Sequence, residues 1–205
     1  MPRQTPAEAW AEMLAGNERF VAGTPRHPRQ DVERREQVAT GQSPDASLFG
    51  CSDSRLAAEI IFDKGLGDLF VVRNAGQINS DSVVGTLEYG VAILRIPLIV
   101  VLGHDACGAV AAAIEAEQEQ PPALPPHIAH LIDHIRPAVR RVKERDGVAD
   151  PQEVGKEHLR DTIADLLRSS ELISEAVADG RLAVVGANYR LLEGRVVPDA
   201  VVGTV

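Results

Sequence analysis

Residues 46–55 read ASLFGCSDSR and residues 98–108 read LIVVLGHDACG, and these two stretches are the strongest indication of the fold. Each begins with a short apolar run and ends abruptly in polar residues. Two further apolar runs, bounded by turn residues, cover residues 69–72 and 182–185. Short runs that lack the alternation of a half-exposed strand are typical of strands buried on both faces of a parallel sheet.

Helical patterns lie between these runs. Val83, Leu87, Val91 and Leu94 recur at three- and four-residue intervals, and residues 109–117 are rich in strong helix formers. The alternation predicts an α/β fold with a mainly parallel sheet of four to five strands, flanked by helices. Residues 119–126 contain four prolines and predict a loop, after which two helical stretches lead to Gly180 and a last strand.

The first forty residues predict a helical arm within a single domain that spans residues 1–205. Thr5, Pro6 and Glu8 form a capping-box start for a helix that runs to Gly23. Residues 31–40 predict a second helix, which is mostly charged and therefore solvated. A chain of 205 residues that is 44% hydrophobic is long enough for one complete core.

Composition excludes several classes of partner. The chain has 30 acidic and 21 basic residues and a net charge of -9, which repels nucleic acid and anionic membrane surfaces. The first ten residues lack a basic start followed by an apolar run, and no later stretch has the length and apolar character of a membrane span. We therefore expect a cytoplasmic protein with neither nucleic acid nor membrane as a partner.

The polar residues that end the two strands suggest a metal site. Ligands of open α/β sheets gather beyond the carboxyl ends of the strands, where Cys51, His104 and Cys107 fall. Two thiolates and an imidazole suit Zn²⁺, and three protein ligands leave a fourth position open for water. Another histidine or Asp53 could close that position. The alternative is that the two cysteines are simply small apolar residues at buried strand ends.

The motifs together resemble those of a known family. The pattern C-x-D-x-R at residues 51–55, followed by H-x-x-C at residues 104–107, is similar to the signature of β-class carbonic anhydrases. The similarity extends to residues 17–20, 70–76, 88–89 and 186–189 and to Gly194. It implies the β-carbonic anhydrase fold and one zinc ion per chain, bound by Cys51, His104 and Cys107.

The resemblance also implies a reaction, the reversible hydration of carbon dioxide to bicarbonate and a proton through a zinc-bound hydroxide. Asp53 and Arg55 are implied to form a catalytic dyad that governs the fourth zinc position, with Asp53 itself as fourth ligand in a closed state. A guanidinium can pair with both carboxylate oxygens, which keeps the carboxylate ionised and off the metal. The alternative is a surface ion pair that caps a helix beginning near Leu56.

The family pattern further implies a substrate site formed by Gln42, Phe70, Ala75, Tyr89 and the backbone amide of Gly108. Carbon dioxide is small and apolar, so a narrow and largely apolar pocket suits it. The family delivers some of these residues across a subunit interface, which implies a homodimer or tetramer. For Phe70 and Tyr89, ordinary core packing is the alternative.

One family feature is incomplete in this sequence. A second, non-catalytic bicarbonate site of some bacterial members uses a tryptophan, an arginine and a tyrosine. Arg73 and Tyr189 match that site, but Leu48 replaces the tryptophan. The resemblance therefore does not predict inhibition by bicarbonate through this site.

Two other interpretations stay open at the level of sequence. His127, His130 and His134 could share a helix face that binds a metal or relays protons, although exposed histidines explain them as well. The same zinc site could instead serve a carbonyl sulfide or carbon disulfide hydrolase, or a non-catalytic zinc-binding or anion-binding protein. Loss of Asp53 or Arg55 would favour the non-catalytic alternative, and both residues are present.

Overall fold

A five-stranded sheet forms the centre of the computed structural model, which describes residues 4–205. The first three residues of the predicted arm lie outside the described residues. The strands are β1 (Ala46–Cys51), β2 (Leu69–Asn74), β3 (Leu98–His104), β4 (Ala183–Arg190) and β5 (Arg195–Val202). The helices are α1 (Pro6–Val21), α2 (Val32–Val38), α3 (Ala58–Ile61), α4 (Asp81–Ala92), α5 (Gly108–Glu115), α6 (Pro126–Asp133), α7 (Arg136–Asp146), α8 (Pro151–Ser169) and α9 (Glu171–Ala178).

The strand order is β2-β1-β3-β4-β5. The first four strands pair in parallel, and only β5 runs antiparallel to its neighbour β4. Parallel pairing places Cys51 opposite Asn74 and His104 opposite Tyr189 at the carboxyl edge of the sheet. The predicted α/β fold with a mainly parallel sheet is therefore confirmed, and the two motif-bearing strands β1 and β3 are neighbours.

Each face of the sheet packs against its own hydrophobic cluster. Successive side chains of a strand point to opposite faces, so Leu48 and Val100 join one cluster while Phe49 and Val101 join the other. All seven residues of β3 are buried. Fully burying one such aliphatic side chain stabilises the fold by about 1.5–3 kcal/mol, and together these side chains hold the strand ends in place.

The N-terminal helix begins as the sequence predicts. The Oγ1 atom of Thr5 accepts a hydrogen bond from the Glu8 amide (3.2 Å), and the Glu8 carboxylate accepts one from the Thr5 amide (2.8 Å). Trp10 and Met13 are buried in the first cluster of the core. The helix thus packs on the sheet of its own chain. Helix α2 has no buried residue, in agreement with its charged sequence.

Three details of the fold differ from the sequence prediction. The chain after the proline loop forms four helices, not two, because breaks occur at His134, at Gly147 with a left-handed backbone (φ +77°), and at Ser170. Strand β2 lies at an edge of the sheet and none of its residues is fully buried, so its predicted burial on both faces is wrong.

The third difference is strand β5, which has no counterpart in the sequence prediction. Its charged residues and Pro198 do not give the sequence pattern of a strand. Proline is depleted in strands except at edges and bulges, and β5 lies at an edge of the sheet. Within residues 4–205, no helix is long and apolar enough to cross a membrane.

Candidate metal centre

The carboxyl ends of β1 and β3 carry the three predicted metal ligands. Cys51 is the last residue of β1, and His104 is the last residue of β3. Cys107 precedes α5, and the turn between it and His104 contains Ala106 in the left-handed region (φ +49°). The two sulfur atoms and a ring nitrogen of His104 all lie within 4.8 Å of one another. The structure therefore brings the three side chains together, and each is only 5–6% exposed.

The hydrogen bonding of His104 leaves one nitrogen for a ligand. Its Nδ1 lies 2.8 Å from the carbonyl oxygen of Asp105. Because a carbonyl only accepts, Nδ1 carries the proton and Nε2 presents a lone pair. Nε2 is buried and has no hydrogen-bond partner in the described part of the chain. A buried, unpartnered lone pair is costly, and a metal ion would satisfy it.

The two cysteine side chains interact directly with each other. The Cys107 thiol donates to the Cys51 sulfur, which lowers the pKa of Cys51 and raises that of Cys107. Burial opposes the ionisation of both thiols. A dication would stabilise both thiolates at once, because only deprotonated sulfur binds zinc well. Two sulfurs and one imidazole nitrogen are a donor set that fits Zn²⁺.

The backbone of the loop after β2 supports the Cys51 sulfur. The amide of Gly76 donates a hydrogen bond to Cys51 Sγ (3.4 Å). Gly76 has a φ of +78°, and a Cβ atom there would lie 3.0 Å from both the Ala109 Cβ and the Ile135 Cδ1. The position therefore excludes a side chain on grounds of conformation and of space.

Asp53 and Arg55 form the predicted pair. Arg55 Nε donates to Asp53 Oδ1 (2.9 Å), and its Nη2 donates to Asp53 Oδ2 (2.7 Å). The side-chain hydrogen bonds from Arg55 hold the pKa of Asp53 well below its usual range. Arg55 Nη2 also reaches the carbonyl of Ala106 (3.2 Å), which links the loops that carry the two cysteines.

The helix-capping alternative for this pair fails. Helix α3 begins at Ala58, later than the predicted start near Leu56, and has only four residues. Its N-cap, Ala57, makes no side-chain capping bond. The Asp53 carboxylate accepts instead from the side chain and the backbone amide of Arg55.

Arg73 has a role at this centre that the sequence did not reveal. Its Nε donates to the carbonyl of Cys51 (2.9 Å), and its Nη2 donates to the carbonyl of Asp53 (2.6 Å). It therefore holds the backbone of the first motif from strand β2. The other residues compared with a non-catalytic bicarbonate site, Leu48 and Tyr189, are both buried.

The residues predicted to contact substrate are less closely gathered within one chain. Phe70 and Tyr89 stack with ring centroids 6.2 Å apart, and Tyr89 is 48% exposed. Gln42, Ala75 and Gly108 are exposed, and Gly108 is the first residue of α5. The alternative that both aromatic rings are ordinary core residues does not fit the exposure of Tyr89.

The three histidines near α6 do not form a second metal site. His127, His130 and His134 are all exposed, and the last two rings meet edge-on at 5.1 Å. Over residues 4–205, the only group of three or more histidine, cysteine or acidic residues with metal-binding geometry is the one at Cys51, His104 and Cys107.

Gly76 and Arg73 are the supporting residues that sequence reasoning missed as parts of the site. Both lie in the stretch 70–76 that carries part of the family resemblance. An Asn-Ala-Gly sequence after a strand is a turn signal, so the turn itself was readable. Its contact with Cys51 depends on the pairing of β1 with β2, which the sequence pattern does not specify.

Comparisons with known proteins agree with this site. A family profile described as "Carbonic anhydrase" matches residues 46–196. Carbonic anhydrase 2 of Mycobacterium tuberculosis is 48% identical over 198 residues, covering 96% of this chain and 94% of the relative. The carbonic anhydrase of Mycolicibacterium smegmatis is 44% identical with the same coverage.

Solved structures give the same result. A β-carbonic anhydrase of the ascomycete Sordaria macrospora, described as tetrameric, has a TM-score of 0.73 at 25% identity over 92% of this chain and 95% of its own. The family profile covers most of the chain and includes all three candidate ligands. This chain therefore belongs to the β-class carbonic anhydrases, zinc-dependent enzymes that hydrate carbon dioxide.

Proposed function

We propose that this chain hydrates carbon dioxide reversibly at a zinc ion held by Cys51, His104 and Cys107, with Asp53 and Arg55 governing the open coordination position. The observation that carries the proposal is the convergence of two sulfurs and an unpartnered imidazole nitrogen beside a bidentate carboxylate–guanidinium pair. When bound, zinc would supply a Lewis acid that makes water a nucleophile near neutral or alkaline pH.

Hydrogen bonds within the chain orient the candidate ligand residues. The hydrogen bond from His104 Nδ1 to the Asp105 carbonyl fixes the tautomer, so that Nε2 faces the two sulfurs as an acceptor. The Gly76 amide donates to Cys51 Sγ and stabilises negative charge on it. Three protein ligands leave one position for water, as catalytic zinc sites require.

Arg55 keeps the Asp53 carboxylate ionised and oriented. Both oxygens of the Asp53 carboxylate accept from the guanidinium, and Asp53 is not among the residues whose ligand atoms lie within 4.8 Å of one another at the candidate metal centre. An ionised carboxylate keeps further lone pairs, so Asp53 can accept a hydrogen bond from the attacking water and orient it. In the closed state Asp53 would leave Arg55 and occupy the fourth position on the metal.

We also propose that the substrate site is completed by a second copy of the chain. Phe70, Ala75, Tyr89 and the Gly108 amide would surround the substrate, and Gln42 would contact it across the interface. Several apolar side chains near the β2 edge, on α3 and at the end of α4 are exposed in the single chain; these are Ile60, Leu66, Val71 and Ile93. A homodimer or tetramer would cover them, and the Sordaria macrospora relative is tetrameric.

Two broader expectations complete the proposal. Both hydrophobic clusters pack on one sheet, which supports a single domain over residues 1–205. The metal centre requires two reduced thiols, which supports a cytoplasmic location.

The test is stopped-flow hydration of carbon dioxide at alkaline pH on protein with assayed zinc. Asp53→Ala should keep zinc and lose about 10²–10⁴-fold in rate, because an oriented proton acceptor contributes that much. Asp199→Ala is the matched control: it removes another bidentate pair, formed by Arg160 on α8 and Asp199 on β5, neither of which belongs to the metal centre. Its rate should match that of the wild type.

Two results would contradict the proposal. Hydration by Asp53→Ala at the wild-type rate would remove the dyad from the mechanism. A wild-type protein that holds one zinc per chain but does not hydrate carbon dioxide would redirect the search to carbonyl sulfide, to carbon disulfide or to a non-catalytic role.

A further inference from the structure

His158 is a buried histidine outside the metal centre. It lies on α8 and is 3% exposed. Its Nε2 lies 2.7 Å from the carbonyl oxygen of Gly76, a contact that spans 82 residues of sequence. Because the carbonyl accepts, Nε2 carries the proton. The other nitrogen, Nδ1, is buried without a hydrogen-bond partner among residues 4–205. Burial lowers the pKa of His158, which is consistent with a neutral ring that donates from Nε2 alone.

Gly76 makes hydrogen bonds to both His158 and Cys51. The Gly76 carbonyl accepts from His158, and the Gly76 amide donates to Cys51 Sγ (3.4 Å). A single residue therefore connects helix α8 to the sulfur of a metal ligand.

The loop needs such a support because its backbone is unfavourable by itself. Gly76 (φ +78°) and Gln77 (φ +41°) are two consecutive residues in the left-handed region. For a residue with a side chain, such as Gln77, that conformation costs roughly 1–2 kcal/mol. A second and weaker contact from α8 reaches the same turn, since the Thr162 hydroxyl, which donates to the His158 carbonyl of its own helix (2.9 Å), also lies 3.4 Å from the Gln77 carbonyl. Helix α8 thus fixes a turn that local sequence preference would not hold.

We propose that His158 is a positioning residue of the metal centre: its hydrogen bond to the Gly76 carbonyl aims the Gly76 amide at Cys51 Sγ. This inference rests on the proposed zinc site. A hydrogen bond to a thiolate withdraws charge from the sulfur, so it tunes the charge that Cys51 gives to the metal and fixes the direction of its lone pairs. Without His158 the turn would relax and the sulfur would lose its donor.

Substitutions of His158 can separate the effect of its hydrogen-bond donor from the effect of its side-chain volume. His158→Leu removes the donor and keeps an apolar side chain. His158→Gln keeps an amide donor at nearly the position of Nε2, whereas His158→Asn keeps the amide but is one methylene too short to reach Gly76. Leu166→Ala is a matched control for destabilisation, because Leu166 is a buried residue of the same helix that packs in the second cluster.

The measurements do not depend on turnover. Cobalt(II)-loaded protein gives a thiolate-to-metal charge-transfer band, and competition with a chelator gives zinc affinity. We expect His158→Leu and His158→Asn to shift the band and to weaken zinc binding by about 10–100-fold, as the loss of a residue that supports a ligand does. His158→Gln should restore both, and Leu166→Ala should leave both unchanged. If His158→Leu does not fold, the comparison of His158→Asn with His158→Gln provides the same test.

Two results would overturn the inference. One is a wild-type band and wild-type zinc affinity in folded His158→Asn, and the other is an equal loss in Leu166→Ala. Failure of the wild type to hydrate carbon dioxide would contradict the proposed function but leave these metal-binding results interpretable.

Discussion

Two regions of the molecule bury polar groups, and they treat them in opposite ways. At the metal centre, His104 Nε2 is buried and has no partner within the described chain. Asp63, just after α3, is 3% exposed, yet its carboxylate accepts from Arg19 Nε (2.6 Å), the Arg26 amide (3.0 Å) and the His27 amide (2.9 Å). The first group lacks a partner and the second has three.

Asp68 repeats the pattern of Asp63. It accepts from the Gly65 amide (2.7 Å) and from Arg29 Nε (2.8 Å). We call Asp63 and Asp68 the acidic clamp, because together they fix the segment between α1 and α2 onto the loop before β2. Buried polar groups with complete partners stabilise the fold, whereas a buried, unpartnered imidazole nitrogen that lies within 4.8 Å of two cysteine sulfurs marks a place for a metal ion. The comparison therefore separates structure from function without reference to a family.

Cys107→Ser should give the largest effect that distinguishes the two regions. It removes one thiolate ligand, so zinc should be lost and hydration should fall by at least about 10³-fold, more than the roughly 10–100-fold typical of losing a supporting residue. The metal-free variant should unfold at nearly the temperature of the metal-free wild type, since serine is close to cysteine in size. Zinc analysis, stopped-flow rates and thermal unfolding measure this. Full zinc occupancy in the variant would contradict the ligand assignment.

Asp63→Asn should affect stability and leave the metal centre intact. Burial by itself would raise the pKa of Asp63, but the amide of Arg26 and the side chain of Arg19 more than offset this and lower the pKa. Losing the charge should cost about 2 kcal/mol, the scale of one hydrogen bond to a charged group. For a chain of this size that is a fall of about 4–8 °C in unfolding temperature.

The control for Asp63→Asn is removal of zinc. Asp63 and the metal centre share no hydrogen-bond partner among those described above, so the fall in unfolding temperature should be the same with and without metal. A loss of zinc affinity in Asp63→Asn would show that the two regions are coupled and would weaken the comparison.

The smallest expected effect is the pH dependence of stability that comes from His158. Burial lowers the pKa of this histidine in the folded state, so the unfolded chain binds more protons below about pH 6.5. The stability it contributes is therefore present above about pH 6.5 and is lost as pH falls through the lower folded pKa. Metal-free His158→Gln should lose less stability than metal-free wild type between pH 7.5 and 5.5. Parallel thermal unfolding curves over that range would contradict the shift.

The fold was largely readable because the strongest sequence signals belong to buried strands. Strands β1 and β3 are continuous apolar runs, and their residues are buried as expected. Strand β5 was missed because its sequence, RVVPDAVV, contains a proline and two charged residues and shows no clear alternation of apolar and polar residues. Its place is set by pairing with β4, a tertiary contact that overrides local preference.

The metal centre was predictable to a similar degree and for a similar reason. Cys51, His104 and Cys107 are rare residue types at or just after strand ends, so their role as metal ligands can be predicted from the sequence alone. The support from Gly76 and His158 was not visible, because those residues lie 82 apart and meet only through a backbone carbonyl. Glycine and a lone histidine carry no local pattern that indicates such a contact.

Both cysteines of the chain lie at the metal centre, and both are buried there. No other thiol in the sequence can react, so an alkylating reagent in native buffer reports only on chains whose sulfurs are not bound to metal. Two thiols per chain should react after unfolding in the presence of a chelator. Because both thiols are only 6% exposed, reaction in native buffer requires the centre to open as well as to lack metal. The ratio of thiols that react before unfolding to those that react after it therefore gives a lower bound on the fraction of chains without metal, independently of catalysis.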